Sequence, residues 1–277
     1  MNMNRIQIFV LILGMLFPIA AISQTDVALD PEFGGRVSVE LDKKIVKGLH
    51  VNLEEEVRFD DNFGSLNRLQ TTVGLNYKMG FLKVGAGYAL INGYSSNNQA
   101  FKNMRHRFMF DVKGTLKVDN WNLSLKERFQ LTHRTGDYNA YQNPANALTL
   151  KSRVMAKYCG FGSVEPYAFF ELRNYLNAPV ISAAYDGTNY LTLDSHDEEG
   201  AAGWFLTGFN GGYVNRLRGS IGMDYKINKH NTLNFFVIAD YVMDKVVDAN
   251  AEGTKLKSYT RETGLKGWVG AKYEFAF

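Results

Sequence analysis

The chain has one cysteine, Cys159, so no disulfide can hold its fold together. It has only five prolines in 277 residues. Beyond its N-terminal segment it lacks any run of the roughly 18 consecutive apolar residues that a membrane helix needs. It also lacks blocks of like charge, and its net charge is only +3, so nothing points to a nucleic-acid partner. The mean hydropathy of -0.22 is that of a soluble protein. A membrane barrel has the same value, because only every second residue of its strands faces lipid. Glycine (26 residues) and aromatics (13 %) are plentiful, a mixture that favours strands and tight turns.

The first residues read as an export signal. Met1 to Arg5 is polar with one positive charge, Ile6 to Ile22 is almost wholly apolar, and Ala21-Ile22-Ser23 is a small-x-small cleavage site. This is the order of a secretory signal peptide over residues 1–23, with a mature domain over 24–277. The apolar run is shorter than the ~20 residues of a spanning helix and leads into the cleavage site, so removal is expected rather than retention as an anchor.

After it the sequence alternates strand after strand. Leu69, Thr71, Val73, Leu75, Tyr77 and Met79 oppose Arg68, Gln70, Thr72, Asn76 and Lys78. Trp121, Leu123, Leu125, Phe129 and Leu131 oppose Asn122, Ser124, Lys126, Arg128 and Gln130. A period of two puts each set on one face of a sheet. Strands of about a dozen residues suit the 9–11 tilted residues that cross a bilayer better than the five or six of a soluble sheet. Short connections near Met79-Gly80, Val118 to Asn120, Cys159 to Ser163 and Asn228 to Asn231 alternate with long ones. The long ones are Asn92 to Asn103, His133 to Ala147, Asn174 to Gly212 and Asp244 to Ser258. Alternating short and long connections belong to a transmembrane β-barrel. Eleven strands are countable from Phe33, and single-chain bacterial barrels have even numbers. The expectation is therefore an all-β antiparallel barrel of 12 strands, with Asp26–Pro31 supplying the missing one, or of 10.

The last strand ends on Tyr273, Phe275 and Phe277, two residues apart and so on one face. Gly270-x-x-Tyr273-x-Phe275 resembles the C-terminal signal that the barrel-assembly machinery reads on outer-membrane barrels, with Trp268 where that signal has a polar residue. More of the chain resembles an uncharacterised, domain-of-unknown-function family of outer-membrane β-barrels of Bacteroides-like bacteria. The stretches that carry the resemblance include Leu53 to Arg58, Val73 to Tyr77, Leu82 to Tyr88, His106-Arg107-Phe108, Leu125 to Gln130 and Asn215 to Arg218. The resemblance implies the fold and a place in the outer membrane of a Gram-negative bacterium, in contact with its lipid, and no activity.

Opposite the lipid-facing residues lie Glu54, Glu56, Arg58, Arg68, Arg105, Arg107, Lys126, Arg128, Lys151, Arg153, Arg216 and Arg218, with Asp111, Asp224, Asp240 and Glu262. They predict a charged lumen, bridged by ion pairs because unpaired buried charge is costly. A narrow anion-favouring channel for a small solute is the functional alternative. Two further readings stand beside it. One is a lipid- or peptide-modifying enzyme at the rim, using His133 with Asp137 or the run Asp194 to Glu199. The other is ligand binding by the long Asn174–Gly212 loop with Tyr175, Tyr185, Tyr190 and Trp204. No catalytic, metal or cofactor constellation stands out, and Gly85-x-Gly87 lies within a strand, where it cannot serve as a phosphate loop. Glu55 and Glu127 fall in phase with lipid-facing neighbours, a conflict that a bulge or a place among the headgroups would relieve.

Overall fold

A computed structural model describes residues 26–96, 98–136, 138–183, 204–249 and 256–277. These form β1 (Asp26–Ala28), β2 (Glu32–Val46), β3 (Leu49–Asp60), β4 (Ser65–Met79), β5 (Leu82–Ser95) and β6 (Ala100–Phe101). They continue as β7 (Arg105–Val118), β8 (Trp121–Arg134), β9 (Asn146–Tyr158), β10 (Val164–Ala183), β11 (Trp204–Lys226), β12 (Asn231–Ala249) and β13 (Leu256–Ala276). From β2 to β13 each long strand pairs antiparallel with the next, β5 pairing directly with β7. The short β6 only flanks the end of β5. The sheet closes where β13 pairs with β2 in parallel, from Lys266↔Glu32 to Ala276↔Asp42.

The barrel therefore has eleven strands, which corrects the expectation of 12 or 10. Up-and-down strands alternate in direction, so with an odd number the first and last point the same way and their ladder must be parallel. The segment expected to supply the extra crossing does something else. β1 also pairs parallel with β13, Asp26↔Arg261 to Ala28↔Thr263. The six residue steps from Asp26 to Glu32 then face only five from Arg261 to Lys266. Leu29 to Pro31 absorb the extra residue as a bulge, at a proline that has no N–H to give the ladder. β1 is thus the far end of the first strand.

Strand ends also depart from the sequence pattern. The stretch 174–212, expected as a loop, is strand at both ends: β10 runs on to Ala183 and β11 begins at Trp204. Register shifts fall at Arg173/Asn174, Tyr175/Ala178, Ala178/Val180 and Val180/Ile181. Each shift exchanges the two faces, so the period-two signal is lost although pairing continues. Tyr175 is accordingly a strand residue, while Tyr185 and Tyr190 lie outside the described residues. One end of the barrel carries the turns after β2, β4, β7, β9 and β11, together with Phe277, whose N–H donates to the Asp42 carbonyl at 3.0 Å. Gly48 (φ 85°) and Gly80 (φ 59°) take the left-handed conformation that two of those turns require. The other end carries the remaining connections and β1.

The two faces of the wall differ sharply. Outside are large apolar side chains on successive strands, such as Val37, Leu53, Val73, Phe110, Phe129, Val154, Phe170, Ile221, Val237 and Val269, all at least 40 % exposed. At the short-turn end Trp121, Tyr158 and Phe161 pack edge to face, and Phe275 and Phe277 lie 5.2 Å apart. Inside, the buried side chains include Arg36, Ser38, Gln130, Glu171, Arg218 and Asp240. The arrangement is a soluble protein turned inside out.

Candidate functional site: a charged layer inside the barrel

Sheet register sets charged side chains in rows. One row runs Asp111, Arg128, Lys151, Arg173, Arg216 across β7 to β11, each directly opposite the next. The row beside it runs Lys113, Lys126, Arg153, Glu171, Arg218, Asp240, Lys266 across β7 to β13. On β2, β3 and β4 a third row sets Arg36, Arg58 and Arg68 opposite one another. Cross-strand neighbours have Cβ atoms about 4.5–5.5 Å apart, and like charges so placed repel.

Three carboxylates tie much of this layer together. Asp240 has no exposed surface; it accepts from Arg218 Nε and Nη2 at 2.6 and 2.8 Å and from the Trp268 indole N–H at 3.2 Å, with Arg216 at 3.5 Å. Glu171 accepts from Arg153 at 2.8 and 2.5 Å and lies 3.6 Å from Arg218. Asp111 accepts from Arg128 at 2.6 and 2.7 Å and pairs with Lys126 at 2.9 Å. Such two-pronged contacts are the strong form of the ion pair.

The residues expected in the lumen fall as follows. Lys126, Arg128, Arg216 and Arg218 belong to the three clusters just described. Arg58 Nε donates to Glu56 at 2.5 Å. Glu54 lies 3.5 Å from Lys272, which also binds Glu40 across the parallel seam. Arg107 Nε donates only to the Thr132 hydroxyl, at 3.1 Å. Arg105 stands opposite Arg134 at the far end of β7, half-buried and away from the clusters. Gly270, Tyr273, Phe275 and Phe277 share one strand and not one face. Gly270 faces inward, where a Cβ would come within 2.2 Å of Phe236. The three aromatics face outward, and the Tyr273 hydroxyl donates to Asn231.

Sequence reasoning missed Arg36, Glu171, Arg173 and Trp268. Arg173 lies at the first register shift between β10 and β11, where Asn215 is the extra residue and the alternation stops being readable. Trp268 looked out of place as an aromatic among inward positions. It acts there as a polar group, with its N–H on Asp240 and the Arg36 guanidinium 4.4 Å above its ring.

Basic groups exceed their counter-ions. Among the described residues Arg36, Arg68, Arg107, Lys151 and Arg173 have no carboxylate within 4.0 Å. The Nε atoms of Arg36, Arg68, Arg173 and Arg216 are shut away from solvent without an acceptor. Space remains between the side chains. One cavity of about 330 Å³ lies by Arg134, Arg173, Tyr175, Tyr213 and Asp244. A second of about 100 Å³ lies between Lys126, Arg128, Lys151, Arg153 and Glu171, and a third of about 200 Å³ lies toward Lys83 and Lys113.

The candidates for other chemistry are only partly within the described residues. His133 Nδ1 lies 2.8 Å from Asn146 and His106 Nδ1 lies 2.6 Å from the Tyr88 hydroxyl, on strand positions in phase with outward-facing apolar neighbours. Asp137 and the run 194–199 lie outside the described residues. Among the described residues no three His, Cys, Asp or Glu groups converge as metal ligands would. Gly85 and Gly87 face inward, and a Cβ on Gly85 would meet Asn76 at 2.5 Å, which marks close packing.

Eleven strands closed in parallel, apolar outside and charged inside, define a barrel of the membrane-protein type. Within that class, residues 36–187 match the family described as "Protein of unknown function (DUF2490)", and the chain belongs to that family. No curated protein matches the sequence. Two solved structures are similar at low level. An anion-selective porin from Comamonas acidovorans has 9 % identity and a TM-score of 0.34, over 84 % of this chain and 56 % of the porin. OmpT, an outer membrane protein of Vibrio cholerae, has 10 % identity and a TM-score of 0.34, over 82 % and 63 %. The chain thus spans less than two thirds of either.

Proposed function

We propose that the protein is an outer-membrane barrel of a Gram-negative bacterium, exported behind a signal peptide that is cleaved after Ser23. Its role is structural or one of narrow transport, through a lumen that admits no large solute. The apolar outer wall supports the location, because soluble monomers rarely expose a continuous apolar patch beyond a few hundred Å². The outward aromatics at the short-turn end sit where interfacial girdles stand in such barrels. The observation that carries the functional reading is the layer made by Asp111, Glu171 and Asp240 with their basic partners. The ion pairs join neighbouring strands and set charged side chains of both signs into an interior that, at eleven strands, is wider than the eight-stranded case that side chains just fill.

Recording from planar bilayers tests this. Reconstituted protein is expected to give no steady conductance, or only small anion-selective steps. Large, stable porin-like steps would overturn the reading.

A further inference from the structure

Two rows of the inner wall meet in a feature that ion pairing within the protein does not explain. On β8 and β9, Lys126 stands directly opposite Arg153 and Arg128 directly opposite Lys151. Two like-charge pairs, two residues apart along each strand, make a square of four cations. Among the described residues its ion-pair partners are Asp111, which binds Arg128 and Lys126, and Glu171, which binds Arg153. Lys151 has neither an ion pair nor a hydrogen-bond partner among the described residues. Four positive charges against two negative leave an excess of two. The square is not collapsed: its side chains surround a cavity of about 100 Å³ whose only acidic lining residue is Glu171. In the same row as Lys151, and directly opposite it on β10, Arg173 has its Nε buried without an acceptor. An uncompensated cation inside a protein costs several kcal/mol unless something supplies the opposite charge.

We infer that Lys126, Arg128, Lys151 and Arg153 form a binding site for one small doubly charged oxyanion of the phosphate or sulfate class. The cavity has room for about three waters, which suits a single tetrahedral anion and is too small for a nucleotide or sugar phosphate. The excess of two positive charges is what a dianion neutralises. Lysine and arginine both donate to such an anion through short charge-assisted bonds. Placed within the layer that fills the lumen, the site would be a resting point for an anion in transit or a permanent structural anion. The inference rests on the barrel reading above.

Calorimetric titration of the detergent-purified barrel with sodium phosphate tests it, with sodium chloride at matched ionic strength as the blank. Saturable one-site binding is expected, together with a rise in the temperature at which the compact form converts to the slow-migrating one on gels. Lys151→Met should weaken binding by roughly tenfold or more, and Lys151→Arg should keep it. Lys126→Met serves as a second variant, because Asp111 keeps Arg128 as a partner. Sulfate binding at the same site supports the same inference. No binding of either anion to a barrel that is visibly folded would overturn it, as would undiminished binding to both methionine variants. Large conductance steps would sink the transport reading without touching the titration, so the two failures are distinguishable.

Discussion

At the residue scale, the clearest lesson lies in the acids that the alternation placed on the wrong face. Glu55 and Glu127 do point outward, and no bulge relieves them: the ladder is continuous at both. Each instead takes a hydroxyl from the residue directly opposite it. Thr71 donates to Glu55 at 2.9 Å and Ser152 donates to Glu127 at 2.6 Å. A sequence read strand by strand cannot find this, because the partner is 16 or 25 residues away and register decides it. Inward charges were easier to assign, since parity alone sorts them. Their pairing was not legible for the same reason. Asp240 shows what pairing is worth. Replacing it by Asn would leave Arg216 without its counter-ion and Arg218 with only the more distant Glu171, while keeping the side chain's size. Breaking a buried pair from one side typically costs about 3–5 kcal/mol. Asp240→Asn is therefore expected to lower the urea midpoint of unfolding from lipid vesicles clearly, with little change in slope. An unchanged midpoint would mean that solvent already screens the cluster.

At the scale of the element, the informative strand is β13. Its two faces have separate tasks. Outward, it carries Tyr273, Phe275 and Phe277, which on the proposed reading would stand at a headgroup interface and serve recognition during assembly. Inward, Lys266 reaches Glu32 at 2.5 Å and Lys272 reaches Glu40, so this face fastens the parallel seam to β2. Changing Tyr273 and Phe275 together to Ser should leave export intact and reduce folded protein in the outer membrane severalfold, with unfolded chain exposed to periplasmic proteases. Lys272→Gln should insert at the wild-type level, yet lose its heat-resistant form at a lower temperature, because the seam is weakened and not the signal. Immunoblots of membrane fractions, heated and unheated, read both effects. Equal membrane levels of the aromatic variant and the wild type would make those residues ordinary wall. The positions of most strands were visible in the sequence, because period-two alternation survives wherever a strand is unbroken. The outer parts of β10 and β11, past Arg173 and before Arg216, were not, because four register shifts exchange inside and outside there.

At the scale of the whole molecule, strand parity is what a sequence reading could not supply. Alternation identifies crossings and is silent on how the first meets the last. The even-number rule then pulled the count from eleven to twelve. The architecture makes a directional prediction instead. In a Cys159→Ser background, a cysteine at Asp119, on the short-turn end, should react with an impermeant maleimide only after the outer membrane is opened. A cysteine at Ser96, at the opposite end, should react on intact cells. The reverse pattern would invert the orientation, and equal labelling would remove the membrane reading.

The parallel seam also bears on how such a wall can be laid into a membrane. Turn-linked pairs of strands can cross together, each satisfying the other's backbone groups, which hydrocarbon leaves with no other partner. The connections β3–β4, β5–β7, β8–β9, β10–β11 and β12–β13 provide five such pairs, and eleven strands leave one over. The odd strand is β2, which has no turn-linked partner left to cross with. Its donors and acceptors on one side are met by β3, and on the other by β13, at the opposite end of the strand order. The barrel's first strand is thus bound to wait for its last.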